Sequence, residues 1–155
     1  MSTAHLIHGF LGAGKTTLAK GLESEFGAVR FSHDEWMARL YGEDPPAEHF
    51  AAYHQNVSAV MQATWTRCLD LGLDVVLDFG FWTRAERDSV RSIVKNSGAR
   101  HRLYELVCPE AEAWKRVEAR NDLLQGSLLI TQNTFERLKD RFEPLDDDED
   151  RVSIA

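Results

Sequence analysis

Residues Gly9-Phe10-Leu11-Gly12-Ala13-Gly14-Lys15-Thr16 fit the spacing G-x-x-x-x-G-K-[ST] at every fixed position, and this stretch restricts the fold more than any other. Its glycines free the backbone for positive φ, so that successive N–H groups wrap the oxygens of a phosphate. Ala4 to His8 before the loop is a short apolar strand, and after it Leu18, Leu22 and Phe26 recur at helical spacing from Lys15 onward. Such a helix adds the partial positive charge of its N-terminus to the same phosphate. In this arrangement Lys15 reaches the β- and γ-phosphates of a nucleotide, and the Thr16 hydroxyl ligates Mg2+. The expected nucleotide contacts are therefore Gly9, Leu11, Gly12, Ala13, Gly14, Lys15, Thr16 and Thr17.

Strand and helix signals alternate through the rest of the chain. Ala28 to Ser32 reads as a second strand, and the capping-box spacing of Ser32 and Glu35 opens a helix carrying Trp36, Met37, Leu40 and Tyr41. Gly42 to Pro46 breaks it. A long helix is expected from Ala47 to Leu71, with Phe50 and Trp65 assigned to the core. Leu73 to Phe79 is a near-continuous apolar run that carries Asp78, the pattern of a fully buried parallel strand. Thr83 and Glu86 repeat the capping-box spacing before a helix that stops at Ser97-Gly98.

His101 to Cys108 is a further strand, and Pro109 opens a helix reaching Leu123. A polar loop around Gln125 to Ile130 precedes a Thr131-capped helix holding Phe135, Leu138 and Phe142. Glu143 to Asp150 reads as a solvated acidic linker, and Arg151 to Ala155 as a last strand. This alternation predicts an α/β fold with a parallel sheet, whose ligands sit at the strand C-terminal ends.

A length of 155 residues suits one domain with a substantial core, and no repeat or second domain is visible. The net charge of −7 argues against a phosphate-backbone footprint on long nucleic acid. Cys68 and Cys108 lack metal-ligand spacing and read as reduced, buried thiols. No apolar run approaches the length of a membrane span, and the N-terminus lacks a signal-peptide layout, so a cytoplasmic protein without a membrane partner is expected. The oligomeric state stays open.

The chemistry beyond phosphate binding must come from a few further residues. Asp34 lies at the end of the second strand and in the first turn of a capped helix; it either accepts a proton from an attacking hydroxyl or complements the helix dipole. Asp78 delivers a carboxylate from a hydrophobic strand toward Mg2+, or starts a turn. Arg116 and Arg120 share a helix face before the loop, as lid arginines over a triphosphate or as part of a charged surface with Lys115, Glu118 and Asp122. Trp36, Met37, Phe81 and Trp82, together with Asp34, are candidate contacts to the second substrate. His33 beside Asp34 is open as well, and a lone His is more often structural than catalytic.

The phosphate loop, Asp34, Asp78-Phe79-Gly80-Phe81-Trp82 and Arg116-Val117-Glu118-Ala119-Arg120-Asn121 together resemble the small P-loop kinases of the polynucleotide-kinase, chloramphenicol-phosphotransferase and zeta-toxin type, often described as AAA-family ATP-binding proteins. The resemblance implies a P-loop NTPase with a five-stranded parallel sheet flanked by helices and a short helical lid. It implies ATP as donor, Mg2+ as cofactor and the hydroxyl of a small molecule as acceptor. In that scheme Asp34 is the general base, Lys15, Arg116 and Arg120 are catalytic, Arg120 also touches the nucleotide, and Thr16 and Asp78 hold the metal. Polynucleotide kinases carry an Arg three residues after the matching Asp; here the position is Met37, which turns the expectation toward a less charged small-molecule alcohol. The loop with Thr17 also resembles that of the CobW-type GTPases. On that likeness a nucleotide-binding regulatory ATPase or GTPase without a small-molecule acceptor is the alternative, although the chain lacks the cysteine metal motif and the N-K-x-D motif of those GTPases.

Overall fold

The apolar run after Leu73 forms β3 (Val75–Gly80), which lies beside the equally buried β1 (Thr3–His8) in a five-stranded parallel sheet ordered β2-β3-β1-β4-β5. The computed structural model describes residues 1–123 and 128–154; residues 124–127 of the expected lid loop and Ala155 of the expected last strand lie outside them. The remaining strands are β2 (Val29–Ser32), β4 (Arg100–Leu106) and β5 (Val152–Ile154). The helices are α1 (Lys15–Phe26), α2 (His33–Tyr41), α3 (Ala47–Asp70), α4 (Arg84–Asn96), α5 (Glu110–Leu123) and α6 (Gln132–Lys139). The strand and helix positions read from the sequence therefore hold to within a few residues, and so does the parallel sheet.

Side chains of a strand alternate between faces, and here the alternation separates two cores. Ile7, Val76 and Tyr104 face α1 and pack on Ala19 and Leu22. Leu6, Leu77 and Leu103 face the opposite way, toward Met61, Trp65 and Val94. The same alternation sends Asp78 toward α1 and its neighbour Phe79 toward the other face, where Phe79 packs on the second core. Asp78 and the pocket-lining Phe79 thus leave one strand end in opposite directions.

Three expectations about the core are corrected. Phe50 is exposed on α3, whereas Trp65 is buried as expected. Phe142 lies past the end of α6 and stacks on His8 with ring centroids 4.6 Å apart. The acidic run Glu143 to Asp150 is not a solvated linker: Leu145 and Glu149 are buried, and Glu149 receives Arg87 at 2.9 Å and Arg91 at 2.7 Å. The physical reason lies on α4. Arg84, Arg87 and Arg91 recur every three or four residues on one face, and Arg87 is fully buried, so the segment facing them must supply carboxylates.

Candidate active site

The phosphate loop joins β1 to α1, and its two left-handed positions are Gly12 (φ 76°) and Gly14 (φ 97°). A Cβ at Gly12 would stand 2.1 Å from the Ala113 carbonyl oxygen, so the absence of a side chain lets α5 pack directly on the loop. The loop is tied from below as well. Gly9 N–H donates to the Gly80 carbonyl at 3.1 Å, and Trp82 Nε1 donates to the Gly9 carbonyl at 3.1 Å. Phe10 packs against Trp82, Phe135 and Phe142, while Leu11 joins Val117 and Phe135 in a small core of its own. Cys108 is free and half-buried rather than buried, with its Sγ 3.9 Å from the Gly12 carbonyl; Cys68 is likewise half-buried.

Five charged side chains gather around this loop: Lys15, Asp34, Asp78, Arg116 and Arg120. Lys15 Nζ donates to the Phe10 carbonyl at 3.1 Å, and burial lowers its pKa while Asp78 and then Asp34 draw it back up. Thr16 Oγ1 donates to Asp78 Oδ2 at 3.5 Å. Burial pushes the Asp78 carboxyl up to about 6, against the pull of Lys15 and with a further push from Asp34. Arg120 adds its charge on the Lys15 side, and its Nε is buried without a hydrogen-bond partner among the described residues. Arg116 reaches the loop directly, with Nη1 3.4 Å from the Gly12 carbonyl and Nη2 2.7 Å from Glu112. Both arginines expected on the lid thus face the loop.

This donor set fits a Mg-nucleotide. Among the described residues no group of three or more His, Cys, Asp or Glu side chains forms a metal cage. Mg2+ instead suits one hydroxyl and one carboxylate completed by waters and phosphate oxygens, and Thr16 with Asp78 offers that pair. An unpartnered guanidinium nitrogen above a loop of positive-φ glycines suits the phosphates themselves.

Asp34 is half-buried in the first turn of α2. Ser32 caps that helix by accepting from Glu35 N–H at 3.4 Å, while the Glu35 carboxylate is taken by Arg30 at 2.9 Å. The Asp34 carboxylate accepts no hydrogen bond among the described residues, yet it acts electrostatically on both Lys15 and Asp78. Met37 is fully buried in the core, Trp36 packs on Phe31, and Trp82 is spent on the loop. Of the four apolar candidates for substrate contact, Phe81 alone lines the large cavity described next.

A cavity of about 410 Å3 opens between α3 and α4 at the end of β3, walled by His33, His54, Ser58, Trp65, Phe79 and Phe81. His33 stacks on Phe79 at 4.2 Å and shares a 3.0 Å hydrogen bond with the Ser58 hydroxyl. Burial, then the neighbouring His54, hold the His33 imidazole down at about 3, so it is neutral at physiological pH. Phe81 has φ 50°, a conformation few bulky residues adopt, and Arg87 Nη1 pins its carbonyl at 2.9 Å. Ser58 was invisible as a site residue, and His54 stood out only as one of several rings and imidazoles in its segment, because the packing of α3 and α4 against the strand end is what brings them to the cavity. Asn121 closed the lid-region motif without a role; its amide grips both backbone groups of Ile130, and the adjacent Leu129 N–H donates to the Glu43 carbonyl at 2.7 Å.

Comparison with known proteins agrees with this fold. Among solved structures, a putative kinase from Chloroflexus aurantiacus superposes with a TM-score of 0.78 at 14% identity, over 99% of this chain and 87% of that one. Kti12 from Chaetomium thermophilum, solved with ADP-AlF3, gives a TM-score of 0.70 at 16% identity over 98% and 88% of the two chains. A gluconokinase from Sinorhizobium meliloti gives 0.64 at 14% identity over 98% and 81%. No curated protein matches the sequence. No helix among the described residues is long and apolar enough to cross a membrane. Residues 5–145 match the model of the AAA domain family AAA_33, and the chain belongs to that family, with the P-loop NTPase fold of its kinase neighbours.

Proposed function

We propose that the protein is a Mg-dependent kinase that moves the γ-phosphate of ATP to the hydroxyl of a small molecule, with Asp34 as general base. The observation that carries this reading is the convergence on Lys15 of the fields of two carboxylates, Asp78 beside Thr16 and Asp34 in the first turn of α2, and of the Arg120 guanidinium. The loop amides and Lys15 hold the β- and γ-phosphates, and Arg116 and Arg120 bear on the transferring group from α5. Mg2+ held through Thr16 and Asp78 neutralises charge on the β- and γ-oxygens when bound. Asp34 orients the acceptor hydroxyl and takes its proton as that oxygen bonds to phosphorus and the bond to the bridging oxygen of ADP breaks. The acceptor enters through the cavity beside His33, the residue next to Asp34.

An acceptor screen that follows ADP formation with ATP and Mg2+, with Lys15→Ala as control, tests this directly. Acceptor-stimulated turnover that vanishes in the control is expected. ATP hydrolysis indifferent to every acceptor would instead favour a regulatory ATPase.

A further inference from the structure

We infer that the cavity between α3 and α4 admits an uncharged alcohol with a flat or apolar face and turns away carboxylated and phosphorylated acceptors, with His33 and Ser58 as its neutral hydrogen-bonding pair. This rests on the reading of the protein as a kinase of small alcohols. The walls are rings, Trp65, Phe79, Phe81 and His33, and the polar groups between them are the neutral Ser58, Gln62 and Ser89. Glu86 is the one Asp, Glu, Lys or Arg among the lining residues, and it is negative; His54 is the second imidazole there, with its ring 4.5 Å from that of His33. A carboxylate or phosphate entering such a space leaves water without a counter-charge, which no hydrogen bond to a neutral group offsets.

The missing cations are accounted for by how the chain uses them. The cavity wall on α4 is Ala85, Glu86, Ser89 and Val90, while Arg84, Arg87 and Arg91 turn to the other side. There Asp146, Asp148 and Glu149 hold all three. The acidic segment therefore keeps the guanidinium groups of α4 out of the cavity. Beneath the site, Met37 is buried in the core. Leu128 and Ile130 pack on the same core as α3. His33 supplies no counter-charge either, since burial keeps its ring neutral.

The test uses matched pairs that differ in charge: benzyl alcohol with mandelate, glucose with gluconate, and uridine with uridine 5′-monophosphate. Binding is read as thermal stabilisation of the full chain with ADP and Mg2+ present, and turnover as ADP formation from ATP. The uncharged member is expected to bind at least about tenfold more tightly in each pair that binds, a factor of ten being about 1.4 kcal/mol. Gln62→Arg, at an exposed position on the cavity wall, is expected to shrink or reverse the preference. Equal or tighter binding of the anionic member in the wild type would overturn the inference, as would millimolar concentrations of all three uncharged members leaving the protein unshifted. Selective binding without ADP formation would sink the kinase reading and leave the selectivity standing. ADP formation with an anionic preference would do the reverse.

Discussion

Removing the Glu149 carboxylate strands a buried guanidinium, and the cost follows from its surroundings. Arg87 is fully buried and makes two bonds to Glu149, at 2.9 and 3.0 Å, and Arg91 makes a third at 2.7 Å. Breaking one partner of a buried pair costs about 3–5 kcal/mol, because the other charge is left uncompensated. Arg87 also donates to the carbonyls of Phe81, Glu143 and Pro144, which survive the substitution and soften the loss. The low end, about 3 kcal/mol, is therefore expected for Glu149→Ala, equivalent to roughly 6–12 °C in Tm for a domain of this size. Urea unfolding at pH 7 measures it, with Asp148→Ala, at an exposed pair, as a control that barely moves the midpoint.

Acid titration sharpens the test. Burial opposes ionisation of Glu149, but hydrogen bonds from Arg87, the Asp146 N–H and Arg91 outweigh it and hold the carboxyl at about 2. A carboxyl depressed in the folded state stabilises fully above its unfolded value near 4.5 and loses that contribution as pH falls toward 2. The gap between wild type and Glu149→Ala should thus be constant above pH 5 and close below it. A loss under about 1 kcal/mol, or a gap that ignores acid, would refute the argument that this pair anchors the acidic segment.

Gly12→Ala places a Cβ 2.1 Å from the Ala113 carbonyl at a left-handed backbone position, so α5 must lift; we expect weakening of ADP binding by at least about tenfold in a calorimetric titration, or about 1.4 kcal/mol. Trp82→Phe removes the donor to the Gly9 carbonyl while keeping a ring against Phe10, and a stability loss of about 1 kcal/mol by urea unfolding is expected. Asp78→Asn removes the carboxylate facing Thr16, and the protein should lose the Mg-dependent part of its thermal stabilisation by ADP while keeping its fold by circular dichroism.

The loop was legible because its spacing is itself the geometry: Gly12 and Gly14 are the positions that need positive φ, and Lys15 and Thr16 follow at the helix start. The position of Asp78 was legible because an apolar buried strand that carries a single carboxylate delivers it to the edge of the sheet where the loop lies, and the structure sets it 3.5 Å from Thr16 Oγ1. Trp82 was not, since a ring two residues past a strand end points either to a pocket or to the neighbouring loop, and a hydrogen bond decided for the loop. Met37 was read as a substrate neighbour from its spacing to Asp34, but that spacing turns it into the core. The acidic run misled most, because charge patterning along one segment says nothing of a buried Arg87 more than fifty residues earlier. His33, His54 and Ser58 converge through the packing of α2 on α3, a long-range contact that no local pattern encodes.

The central claim is that Asp34 performs the proton transfer at a site where the loop already holds the nucleotide. Single-turnover transfer of labelled γ-phosphate to an acceptor that stimulates ADP formation, compared between wild type and Asp34→Asn, measures this directly. The transfer rate should fall by about 10²–10⁴, as expected for loss of a general base, while the Kd for Mg-ADP stays within about twofold. An unchanged transfer rate, or a loss of nucleotide binding large enough to explain the defect, would contradict the account.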